Sequence, residues 1–301
     1  MEKDLNNKAI CYVTMVSRDY LTWFWLDYFT NKERTNEYIS NKIKTKKYND
    51  CYDSVVKLKQ DYKLTEKFEK IEKINSKTIK EQSDKVIYSV KQASEYFRLS
   101  TSANLHVKPL ILYYGMISLS KALMESTFIF RNIKNQHGLG GNHDYKKCIV
   151  MPNGFFPRFS ACNFYSVGDP SFVNTTAYNN ILILIYEKIS LTFEDLIFPL
   201  SYYLPQGNSL YRKSPDMYTK VFGHYSQKYA IDPISCYLMI MYLFSNFVRY
   251  KPVEWIRIIE GNDEDYPKID WILKPLLERA VLDYPALILD EFRRLSEGDG
   301  P

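Results

Sequence analysis

Apolar positions in QSDKVIYSVKQASEYFRL, residues 82–99, fall at Val86, Val90, Ala93 and Phe97. Steps of three and four lay these side chains along one stripe, so the pattern predicts an amphipathic helix. The next segment, from Asn104 to about Asn132, follows a different rule. From Leu110 to Phe130 it is apolar on nearly all sides, which predicts a helix at the centre of a bundle. Pro109 falls in its first turn, where a missing N–H costs little. Gly138, Gly140 and Gly141 end any helix that reaches them. Upstream, SRDYLTWFWLDYFTN (17–31) reads as a helix opened by a Ser cap and packed with aromatics. Residues 32–80 are polar and lysine-rich with sparse apolar positions, the pattern of short helices and loops with exposed faces.

The middle of the chain changes character. KCIVMPNGFFPRFSACNFYSVGDPSFVNTT (147–176) has short apolar runs broken by PNG, Pro157 and GDP, which are strand and turn signals. ILILIYEKI (181–189) is β-branched and reads as a strand. Helical patterns return in LTFEDLIFPLSYYL, where Thr192 and Asp195 stand in near capping-box spacing. PISCYLMIMYLFSNFVRY (233–250) reads as a second buried helix, and VEWIRIIE and YPKIDWILKPLLERAVLDYPALILDEFRRL close a helical end. The fold class expected is therefore mainly α, a helical bundle with a small β-containing insert. The expected division is an N-terminal helical region (1–146), the insert (147–190) and a C-terminal helical region (191–298) packing on the first.

Composition narrows the function classes. Apolar residues make up 46% of 301, ample for a buried core. Five scattered cysteines (Cys11, Cys51, Cys148, Cys162, Cys236) form no CxxC pair or Cys/His cluster. Neither a zinc site nor a disulfide framework is expected, and no metal or cofactor. The apolar runs at 109–120 and 233–248 are shorter than the roughly 20 residues a membrane span needs. The start, MEKDLNNKAICYV, lacks the apolar segment of a signal peptide. A cytoplasmic protein without membrane contact is the expectation. The net charge of +5 is uneven: residues 31–80 hold 14 lysines and arginines against 8 acidic residues. That stretch could attract a phosphate backbone, but at this modest density a solvated helix surface is the better reading.

Candidate chemistry concentrates in FRNIKNQHGLGG (130–141), where Arg131 and Asn132 precede His137. Metal-free RNA cleavage needs a base for the ribose 2′-OH, a cation for the charge growing on phosphoryl oxygens, and an acid for the leaving 5′-oxygen. Histidine suits the proton steps, with an ordinary pKa of about 6.5. Arginine suits the cation, with forked donors for phosphate. Asn132 would hold an oxygen or orient His137, and His143 is a candidate auxiliary. One imidazole cannot be acid and base in the same step, so a homodimer sharing the site is expected. In an unbroken helix six residues turn about 240°. Arg131 and His137 therefore converge only where the helix ends or distorts between them, or where two subunits share the site. The plain alternative places Arg131 at a helix C-terminus, where the dipole favours cations, and His137 on a carbonyl. Arg249, Pro252 and Trp255 in RYKPVEW read as a helix junction. His106 and His224 show no catalytic partner.

Two resemblances rest on these residues. VKPLILYYGMISLSKALM (107–124) with QHGL (136–139), and YLMIMYLFSNFVRYKPVEWIRII (237–259), in that order and with NGFFPRF and LTFEDL between them, resemble the YaaC-like family. The similarity covers most of 85–292 and implies a bacterial or phage-related cytoplasmic protein. Arg131-Asn132-x4-His137 resembles the Arg-x4–6-His signature of HEPN ribonucleases. Those are small helical bundles that usually dimerise and cut RNA without metal, many as toxins or anti-phage effectors. That resemblance implies an endoribonuclease with Arg131, Asn132 and His137 as its site. The alternative is a non-catalytic sensor or immunity subunit of a defence complex.

Overall fold

A computed structural model describes residues 20–44, 75–127, 136–141, 146–162, 184, 190–197, 200, 231–262 and 270–296. In chain order these give a helix over 20–27 (α1), a 3-10 turn Tyr28–Thr30, α2 (Lys32–Lys42), α3 (Ser76–Ser102), α4 (Lys108–Thr127), β1 (Leu139–Gly141), β2 (Lys147–Val150), α5 (Phe155–Cys162), β3 (Ser190–Thr192), α6 (Phe193–Ile197), α7 (Pro233–Tyr250), α8 (Pro252–Ile259) and α9 (Asp270–Ser296). The architecture is mainly helical with a small antiparallel sheet mid-chain, the fold class the sequence predicts.

α4 occupies the centre. It packs against α3 along most of its length and also meets α7, α9 and α5. The all-round apolar pattern is the cause: Leu112, Tyr113, Ile117 and Ala122 lie at widely different angles round the helix and all are buried. The stripe on α3 behaves as its spacing requires, with Val86, Val90, Ala93 and Phe97 buried. α3 begins earlier than the stripe alone indicates, because the Asn75 side chain accepts the Thr78 backbone N–H at 2.9 Å. α7 is buried from Pro233 to Phe247, with Asp232 accepting from the Ser235 N–H at 2.8 Å as its cap. Polar side chains also join the helices. Ser118 on α4 donates to Gln92 on α3 at 3.0 Å, and Lys42 on α2 donates to Ser126 on α4 at 3.1 Å. Cys148 and Cys236 are buried free thiols, their pKa values pushed up by burial. No described helix is long and apolar enough to cross a membrane.

The sheet runs β1-β2-β3, each pair antiparallel. Leu139 lies opposite Val150, and Cys148 opposite Leu191. Three details correct the sequence reading. The glycine-rich segment, expected only to end a helix, supplies β1 itself. FFPRFSAC is the helix α5, not a strand or turn; Pro157 sits in its first turn, where no N–H is required. Of residues 181–189, read as a strand, only Leu184 is described, and it is helical and buried; the others lie outside the described residues, and the strand that is described here is Ser190–Thr192. The capping pair is present: the Asp195 N–H donates to Thr192 Oγ1 at 3.3 Å, and the Thr192 N–H donates to Asp195 Oδ2 at 2.8 Å. β1 and β2 rest on α7, which brings the loop before β1 to the face of the central helices.

Candidate functional site

His137 sits on that loop, and two glycines fix its backbone. Gly138 has φ +73° and Gly154 has φ +119°, conformations that favour glycine. They also touch: a Cβ on Gly154 would lie 2.5 Å from the Gly138 nitrogen, and one on Gly138 would lie 2.6 Å from Pro157 Cδ. Three backbone N–H groups complete the clasp. Met151 donates to the Gly138 carbonyl at 3.0 Å, Phe155 to the Gln136 carbonyl at 2.8 Å and Phe156 to the His137 carbonyl at 2.9 Å. The last two are N–H groups in the first turn of α5, where the helix offers no partner of its own.

The imidazole of His137 is half-buried and faces α4 and α7. Its Nδ1 lies 2.9 Å from the Tyr113 hydroxyl on α4. The His137 ring centroid is 5.6 Å from that of Tyr113 and 6.3 Å from that of Tyr242 on α7, and the two tyrosine rings are 5.7 Å apart. Tyr113 and Tyr242 are both buried. Seven residues beyond Tyr242, on the same face of α7, stands Arg249. Its Nε donates to the Ser245 carbonyl at 3.1 Å, and its Nη2 donates to Asn246 Oδ1 at 2.8 Å and to Ser245 Oγ at 3.3 Å. These bonds draw the guanidinium back along the helix to within about one turn of Tyr242.

The electrostatics agree with that layout. Burial lowers the His137 pKa below its ordinary value, and the positive charges of Arg249 and Lys121 lower it further. Burial pushes the Tyr113 phenol well up; Tyr242 adds to the shift and Arg249 opposes it. The imidazole is therefore neutral near pH 7 and the phenol keeps its proton. The arrangement offers one neutral acid–base group held by a phenol, with the positive charges of Arg249 and Lys121 bearing on it. Among the described residues no group of three His, Cys, Asp or Glu could hold a metal ion.

Of the residues singled out from sequence, His137 is in this site. Arg131, Asn132 and His143 lie outside the described residues, as does His224. His106 is exposed in the turn before α4. Trp255 packs as a junction residue should, 5.3 Å from Phe244 and donating Nε1–H to the Leu105 carbonyl at 3.2 Å. Tyr113, Tyr242 and Arg249 were not marked by the sequence as site residues. Each sits in or beside an apolar run, and only the crossing of α4 and α7 brings them to His137.

Residues 27–170 match the model of the family described as YaaC-like Protein. The match takes in α2 to α5 and with them Tyr113 and the His137 loop. It begins well before the region the resemblance was drawn from, and the second block, 237–259, lies beyond it. No curated protein matches the chain. No solved structure matches it either.

Proposed function

We propose that the protein is a metal-independent endoribonuclease of the HEPN type, with His137 moving the proton and Arg131 and Asn132 serving the phosphate. The observation that carries this reading is the state of His137: neutral, half-buried, and held by the Tyr113 hydroxyl in a clasped loop. In the tautomer where Nδ1–H donates to the Tyr113 oxygen, Nε2 carries the lone pair a general base needs. The base takes the 2′-OH proton, O2′ forms a bond to phosphorus, and the bond from phosphorus to O5′ breaks. A second copy of the chain supplies the acid that protonates O5′.

The test incubates the purified protein with total RNA in excess EDTA, beside Arg131→Ala and His137→Ala. The expected result is cleavage by the unmodified chain that is lost in both variants. Undiminished cleavage by either variant overturns the assignment.

A second reading, a non-catalytic interaction subunit, has its own observation. Tyr20 (70% exposed) and Phe24 (58% exposed) stack on the outside of α1, with Leu21 and Trp25 also exposed. Beside them is a cavity of about 290 Å³ lined by Trp25, Tyr28, Tyr38, Phe292 and Arg293 among others. Exposed apolar patches of this kind mark surfaces that meet a partner. In the RNA assay this reading expects an inert protein.

A further inference from the structure

We propose that Arg249, drawn back along α7 by Ser245 and Asn246, is a further group, besides Arg131 and Asn132, that holds a phosphoryl oxyanion beside the imidazole of His137. The inference rests on the cleavage reading for its substrate class and supplies a cation that the sequence motif does not contain. The geometry begins with the donors. A guanidinium only donates hydrogen bonds, so the Asn246 atom that meets Arg249 Nη2 at 2.8 Å is Oδ1. That fixes the orientation of the amide. Its N–H2 is then a buried donor with no partner among the described residues, next to the guanidinium. Ser245 and Asn246 use Nε and Nη2 of the fork. The guanidinium stays fixed to its helix, as a preorganised anion site requires.

The chain of contacts from there to the reacting group is short. The guanidinium lies about one helical turn from Tyr242, and the Tyr242 ring meets that of His137 at 6.3 Å. The groups around the imidazole point to an anion. Among the described residues the ring meets the phenols of Tyr113 and Tyr242, and the charges that bear on it, Arg249 from α7 and Lys121 from α4, are both positive. A phosphodiester offers two unesterified oxygens that share one negative charge, and Nη1, which neither Ser245 nor Asn246 uses, can donate to one of them.

The test follows His137 by NMR of its imidazole nitrogens while inorganic phosphate is titrated in at constant ionic strength, with chloride and acetate as controls. A bound anion beside the ring raises the His137 pKa. The expected result is a saturable shift with phosphate, not reproduced by the controls, whose midpoint weakens by about tenfold or more in Arg249→Gln. Arg249→Lys, which keeps the charge and loses the bonds that fix it to Ser245 and Asn246, should fall between the two. A wild type with no saturable shift, a shift matched by chloride, or the same midpoint in Arg249→Gln and Arg249→Lys as in the wild type each overturns the proposal. The cleavage reading is judged separately. Phosphate held through Arg249 by a protein that leaves RNA intact sinks that reading alone. RNA cleavage with phosphate binding indifferent to Arg249 sinks this inference alone.

Discussion

The imidazole of His137 titrates below the usual histidine value because burial and two nearby cations all disfavour its charged form. That has a consequence for stability with a definite sign. As pH falls below about 6.5, the unfolded chain takes up a proton at this position that the folded chain resists. The contribution is complete above the unfolded value and is lost as pH falls toward the lowered native value. We expect His137→Gln to lose less stability than the wild type between pH 7 and pH 5, read from urea unfolding at each pH. Equal losses in the two proteins would show that His137 is not depressed. At this scale the sequence marked His137 through its position after an apolar helix and before glycines. It could not mark Tyr113, because in LILYYGM nothing distinguishes a tyrosine that meets a histidine from one that only fills space. Arg249 was legible as a helix-ending cation, which it is, since it bonds the Ser245 carbonyl. Its reach toward His137 depends on the crossing of two helices far apart in sequence.

Among the elements, the clasp between the His137 loop and α5 is the most exacting. Gly138→Ala would put a Cβ at 2.6 Å from Pro157 Cδ and 2.9 Å from the Phe156 nitrogen, at a φ of +73°. We expect a loss of at least about 1–3 kcal/mol in unfolding free energy. The shifts of the His137 ring should move as well, as the loop gives way; an unchanged melting midpoint would contradict the account. The cap of α3 is a milder test. Asn75→Ala removes the acceptor for the Thr78 N–H and should cost about 0.5–2 kcal/mol, measured by thermal or urea unfolding. Helices with a clean stripe or an all-round apolar pattern were legible from sequence because burial alone sets those patterns. The sheet was legible only in part. Leu139–Gly141 carries no β-branched residue and becomes a strand because β2 pairs with it. FFPRFSAC contains turn signals and still forms a helix, since the carbonyls of Gln136 and His137 take its first N–H groups.

At the scale of the molecule, α4 serves two ends: it is the centre of the bundle and it carries Tyr113. Truncating a fully buried side chain on it, such as Leu119, should cost about 2–5 kcal/mol. It should disturb helices on several sides, visible as a cooperative drop in melting temperature. A surface-like effect below about 0.5 kcal/mol would mean that α4 is not central. The same core positions α7, and with it Tyr242 and Arg249, against the loop that the sheet and α5 hold in place. On the reading proposed above, this junction uses His137 to cut RNA without metal. The most direct measurement is the mass of the fragments from a defined oligoribonucleotide incubated with the protein in EDTA. Attack by O2′ leaves a 2′,3′-cyclic phosphate, and the account predicts that ending with the wild type and an intact oligonucleotide with His137→Ala. An intact oligonucleotide with the wild type, or the cyclic ending formed equally fast by His137→Ala, would contradict it.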